Sequence, residues 1–145
     1  MKTIGTALSC LLLSCAVASA ETDPPDMRGL WKVELSVVGH APDGDRQGAD
    51  RYFTDEFEME VRIDWQDGRR FGGAEVVNGS AENMEVELDE FYSGVVSVDG
   101  AQVYMVDDNG FDTCTLISPE RMECVYRHVE PRHSVVSSNV WTKID

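Results

Sequence analysis

His128 and His133, of a residue type that commonly ligates zinc, stand five residues apart across a proline turn. A zinc centre needs three or four Cys, His or carboxylate donors. No third histidine or free cysteine completes that set, because His40 sits in a distant irregular stretch. Asp107-Asp108-Asn109-Gly110, followed by Asp112, has the oxygen density of a calcium loop but lacks its ligand spacing and distal glutamate. It reads as a turn, and so does Asp43-Gly44-Asp45. No Ser, Thr or Cys is placed beside a base that would activate it. The acid pairs follow from strand faces that are acidic throughout. No catalytic residue, no metal site and no cofactor is implied, and the balance is against an enzyme.

The elements that must carry any site are strands. From Glu56 to Gln66 polar and apolar residues alternate without a break, the period of a strand with one buried face. It stops at Asp67-Gly68, a hairpin signal that suits Gly68 in the left-handed region. The unit recurs. An earlier strand carries Trp31, Val33, Leu35 and Val37 on one face. Later strands are expected over Arg69–Val77, with a bulge at Gly72-Gly73, then Met84–Val98 with an interruption near Ser93-Gly94. Gln102–Val106, Phe111–Ile117, Arg121–Val129 and Val135–Ile144 complete the set. Asn78-Gly79-Ser80, Asp99-Gly100, Asp108-Asn109-Gly110, Ser118-Pro119-Glu120 and Glu130-Pro131-Arg132 separate them. Eight strands joined mostly by short hairpins predict an all-β, antiparallel up-and-down barrel over residues 28–145, because closure removes both sheet edges. The one long irregular stretch, Gly39 to Asp55, exceeds the usual connection and is the natural gate of a barrel mouth.

Residues 1–20 read as a secretory signal peptide. Lys2 precedes an apolar run, and Ala18-Ser19-Ala20 is a small-residue cleavage site. The run is too short for a membrane span. Residues 21–27 read as a disordered lead-in. Leu12-Leu13-Ser14-Cys15 also resembles a lipoprotein box, so a lipid anchor at Cys15 is the alternative to a periplasmic or secreted protein. The chain has 27 acidic and 12 basic side chains and a net charge of −15. Such a charge repels nucleic acid and anionic membrane surfaces. It favours solubility, or a cationic partner.

Removal of the signal leaves Cys114 and Cys124. Pairing Ile117 with Arg121 across the Ser118-Pro119-Glu120 turn sets Leu116 opposite Met122 and Cys114 opposite Cys124, where a disulfide can form. Export supplies the oxidising compartment.

Gly29-Leu30-Trp31 opens the first strand and Lys143 lies near the end of the last. This resembles the calycin superfamily, the lipocalin-like and avidin-like barrels. The likeness implies that Trp31 packs beneath Lys143 to close one end, and that the loop after the first strand covers the other. The stretches Gln66–Phe71 and Val98–Asp108 also resemble a family of small exported bacterial proteins, a likeness that implies no activity.

The inward set includes Phe57, Met59, Val61, Ile63, Trp65, Phe71, Met105 and Tyr126. These side chains either fill the barrel or line a pocket for a flat apolar ligand. The mouth is expected at the long-loop end, with Phe57 and Met59 nearest a ligand. The functional expectation is an exported barrel that binds a small apolar or amphipathic ligand. The alternative is a protein-binding module, such as an inhibitor of a basic extracellular hydrolase, acting through the acidic surface.

Overall fold

The computed structural model describes residues 23–40, 52–80, 91–130 and 133–145, with 74–80 described by backbone alone. The signal segment with Cys15, the middle of the long loop, residues 84–90 and Pro131 lie outside the described residues.

The chain forms antiparallel strands because alternating sequences bury one face and leave the other wet. They are β1 (Gly29–His40), β2 (Tyr52–Ile63), β3 (Trp65–Asp67), β4 (Arg70–Ser80), β5 (Phe91–Val96), β6 (Gln102–Val106), β7 (Gly110–Ser118), β8 (Arg121–Glu130) and β9 (His133–Lys143). One sheet runs β2-β1-β9-β8-β7-β6-β5-β4-β3, and a further β2–β4 pairing joins its ends. The expected second strand breaks at Asp64 into β2 and β3, so nine segments make eight staves. The predicted up-and-down barrel is the observed fold, and no helix occurs among the described residues.

Four local expectations are corrected. First, the hairpin after β3 pairs Asp67 with Arg70 and Trp65 with Gly72. The expected partner of Trp65 was Arg69. Gly68 does take a left-handed φ of 58°. Second, Asn78-Gly79-Ser80 continues β4 against Glu58–Glu60 of β2 and is not a loop. Third, Ser93-Gly94 does not interrupt a strand. Gly94 faces Phe71, and a Cβ there would collide with the aromatic ring. Fourth, the ends of the long loop are strand, since Gly39 and His40 pair with Phe53 and Tyr52. The Gly72-Gly73 bulge is present, with the register shift between Phe71 and Ala74 and Gly73 at φ 68°.

The core is the barrel interior. Trp31, Trp141, Phe71, Met27, Ile63, Met105, Met122, Val33, Val61, Val96 and Val103 are its largest fully buried side chains. Cys114 and Cys124 are direct Cα partners and form a disulfide. Leu116 pairs with Met122 as expected, while a shift at Ile117 makes Ser118 the partner of Arg121.

Candidate functional site

The two ends of the barrel differ. At one end, Trp31 is completely buried and its Nε1 donates to the Met27 carbonyl at 2.9 Å. Met27 is also fully buried, and its N–H donates to Gln66 Oε1 at 2.6 Å. Gln66 Nε2 donates in turn to the Pro25 carbonyl at 2.8 Å. The lead-in expected to be disordered therefore forms the plug in its described part. Lys143 lies 5.9 Å from the Trp31 ring and donates to the Asp26 carbonyl at 3.0 Å. Gly29, at φ 129°, leaves the room this closure needs: a Cβ there would meet Lys143 Cε at 2.8 Å. Trp141, which sequence reasoning passed over, stands edge-on to Trp31 at 6.5 Å and to Tyr92 at 5.9 Å.

Trp65 is corrected outright. It is 51% exposed and lies outside the barrel. The break at Asp64 slips the alternation by one residue, which reverses the faces that follow. Gln66 turns inward in its place. The other proposed interior residues divide by depth. Val61, Ile63, Phe71 and Met105 belong to the packed interior, and Met59 is nearly as buried. Phe57 is half-buried beside Leu35, its Cα partner, and Tyr126 is half-buried on β8.

Toward the other end the inner wall turns polar. Asp112, Ser137 and Asn139 are buried although each carries polar atoms. Ser137 Oγ donates to Asn139 Oδ1 at 2.6 Å, and Asn139 Nδ2 donates to Asp112 Oδ1 at 3.1 Å. Burial pushes the Asp112 carboxyl up to about 7, and the charge of Asp107 adds to it. The Asn139 hydrogen bond and the Arg127 guanidinium oppose the rise with smaller effect. The outside of the same staves is apolar, with Val38, Val106, Phe111 and Val136 exposed. Polar and apolar groups are therefore mixed on both faces of this half, with Leu35, Val37 and Met105 buried beside Asn139, Ser137 and Asp112.

Above this cluster, at the end where β1 meets β2 and β8 meets β9, lies a belt of rings. Phe53 stacks on His133 at 6.1 Å, and His133 stands edge-on to His128 at 5.3 Å. His128 Nδ1 and the Tyr126 hydroxyl both reach Asn109 Oδ1, at 3.0 and 3.2 Å. The Asp107–Gly110 segment is the expected turn, tied by Asp107 Oδ1, which accepts from the backbone N–H groups of Asn109 and Gly110. His128, Glu130 and His133 place donor atoms within 4.8 Å of one another. Sequence reasoning sought a third histidine or cysteine and passed over Glu130. The Glu130↔His133 register is the signal that would have found it.

The acidic surface includes a row on the outer face of β1 and β2. Glu34 pairs with Glu58, and Lys32 bridges them at 3.2 and 3.0 Å. Glu56 and Glu60 extend the row.

These antiparallel staves, plugged at one end by the strand of Gly29 and Trp31 beneath Lys143, form an up-and-down β-barrel. No protein-family profile matches the chain, and no curated protein matches it. Among solved structures it is similar to the S-type phycobiliprotein lyase of Guillardia theta. The TM-score is 0.43 at 10% identity, over 82% of this chain and 89% of that one. No helix of the described residues is long and apolar enough to cross a membrane.

Proposed function

We propose that the protein is an exported barrel that receives a small amphipathic ligand in the half nearer the ring belt. The observation that carries this reading is the buried Ser137–Asn139–Asp112 chain on a wall shared with Leu35, Val37 and Phe57. A few convergent polar groups on an apolar lining, one with a displaced pKa, are the mark of a small-molecule site. A filled core needs no such groups, because burying them costs free energy unless each is bonded. The apolar body of the ligand would lie against Phe57 and Met59, and its polar head would meet Asp112 and Asn139. Val61, Ile63, Phe71 and Met105 would support the floor. Residues 41–51, outside the described residues, would gate the mouth. The Cys114–Cys124 disulfide is compatible with an oxidising periplasmic or extracellular compartment. The signal peptide, or a lipid anchor at Cys15, remains the proposed route of export.

The test is a panel of fatty acids, retinoids, haem and biotin titrated into the mature protein by calorimetry. One class should bind with 1:1 stoichiometry. Phe57→Glu and Asp112→Leu should each weaken it by at least tenfold, while Asp67→Ala, on the closed-end turn, should not. A panel without a binder, or binding indifferent to both interior substitutions, would sink the reading.

The acidic row Glu34, Glu56, Glu58 and Glu60 favours the second reading, a module that binds a basic protein through its outer face. Saturable, salt-sensitive inhibition of a basic extracellular hydrolase, lost on reversing Glu58 and Glu60 to lysine, would establish it in place of the first.

A further inference from the structure

We infer that His128, Glu130 and His133 form a binding site for a divalent first-row transition ion of the zinc class at the rim of the barrel. Antiparallel pairing of β8 and β9 carries the argument. Glu130 and His133 are direct Cα partners, and His128 lies two residues before Glu130 on the same strand face. All three side chains thus emerge on one side of the hairpin, with donor atoms within 4.8 Å of one another.

Each donor has an independent reason to serve. His128 is 9% exposed, and its Nε2 is buried with no hydrogen-bond partner. A buried polar atom left in this way is costly, and among the described residues it shares that state with Asp107 Oδ2 and Trp141 Nε1 alone. Its other nitrogen is 3.0 Å from Asn109 Oδ1. In the tautomer that makes this a hydrogen bond, Nδ1 carries the proton and the Nε2 lone pair points into the cluster. An imidazole oriented through its far nitrogen by an oxygen acceptor is the usual support of a metal-bound histidine. The Tyr126 hydroxyl donates to the same oxygen and holds Asn109 in place. Glu130 Oε1 stands 3.5 Å from His128 Nε2. Two donors on one tetrahedral ion with bonds of about 2.1 Å lie about 3.4 Å apart, so this edge is already set. His133 is half-buried against Phe53, and its ring places a donor atom within 4.8 Å of the other two.

Two imidazole nitrogens and one carboxylate oxygen select Zn²⁺, Cu²⁺, Ni²⁺ or Co²⁺ over the oxygen-seeking Ca²⁺ and Mg²⁺. Three protein donors leave a position for water or for a donor atom of a bound molecule. The other mixed cluster among the described residues, Asp112 with Cys114 and Cys124, cannot compete, because both sulfurs are in the disulfide. The site does not depend on the ligand reading above.

The experiment is titration of the disulfide-bonded mature protein with Zn²⁺ by calorimetry, and with Co²⁺ by visible absorption. One ion per chain should bind, and Co²⁺ should develop the intense d–d bands of a tetrahedral centre. Glu130→Gln changes an exposed side chain and should weaken binding by at least tenfold. His133→Ala and His128→Gln should each abolish the d–d bands. Asn109→Ala should weaken binding ten- to hundredfold by freeing the His128 ring. His40→Ala, on the neighbouring strand, should bind as the parent does. Circular dichroism identifies any variant that fails to fold, and Glu130→Gln then decides. Absence of saturable Zn²⁺ binding, or binding that survives Glu130→Gln and His133→Ala unchanged, would overturn the assignment. So would a loss of binding in His40→Ala alone.

Discussion

Asn139 on β9 donates to Asp112 on β7 across the intervening strand β8, at 3.1 Å. Both side chains are all but sealed from solvent. A carboxyl in that position is favoured in its neutral form, since desolvation penalises the anion.

The pH dependence of stability follows from it. A folded pKa of about 7, raised from 3.8, means that the folded protein holds a proton the unfolded chain gives up. This contribution is fully present below about pH 4 and is lost as the pH rises through 7. Its upper bound is about 4 kcal/mol. Melting temperature should rise as the pH falls from 8 to 5.5, a window above the ordinary carboxylate range. Asp112→Asn keeps a neutral hydrogen-bonding group there, so its melting temperature should vary less across the same window. Equal slopes for the two proteins would contradict the assignment.

The two buried tryptophans should respond differently to loss of the indole N–H. Trp31 Nε1 is bonded to the Met27 carbonyl, whereas Trp141 Nε1 is buried with no partner. Trp31→Phe strands a carbonyl and should cost more than Trp141→Phe, which removes an unsatisfied donor. Either residue changed to alanine should cost roughly 3–5 kcal/mol. Urea unfolding of the four variants measures this ordering. A Trp31→Ala loss below about 1 kcal/mol would mean that the plug does not hold the barrel.

Gly94 is required by the Phe71 ring that lies over it. Gly94→Ala should destabilise by about 1–3 kcal/mol through overpacking. Adding Phe71→Leu should recover part of the loss, because the smaller side chain makes room for the new methyl. A double-mutant cycle with no coupling would show that the ring does not occupy this position.

Replacing Cys114 and Cys124 by alanine should cost roughly 2–3 kcal/mol, as expected for opening a short loop. Non-reducing peptide mapping should find the pair joined. Two free thiols after periplasmic expression would remove the bridge and the support it lends to export.

The sequence alone determined the class of fold and, beside the tight Ser118-Pro119-Glu120 turn, the pairing of two adjacent strands. A period of two, broken by turn signals, is local information. So is the Leu116–Met122 and Cys114–Cys124 register, which depends only on a tight turn a few residues away. The resemblance carried by Gly29, Trp31 and Lys143 named the closing partners, and the structure sets them together. Three things needed the tertiary structure. The phase slip at Asp64 threw Trp65 out and drew Gln66 in, because an irregularity of one residue leaves no mark in an alternating pattern. The polar cluster was hidden for another reason. Asp112 shares the face of Cys114 and Leu116, but no local pattern says that Ser137 and Asn139, two strands away, meet it there. The pairing of β7, β8 and β9 decides which face looks inward. Last, Glu130 became a partner of His128 and His133 only when the hairpin register was known. A carboxylate among 27 acids carries no sign of its role until a fold sets it beside two imidazoles.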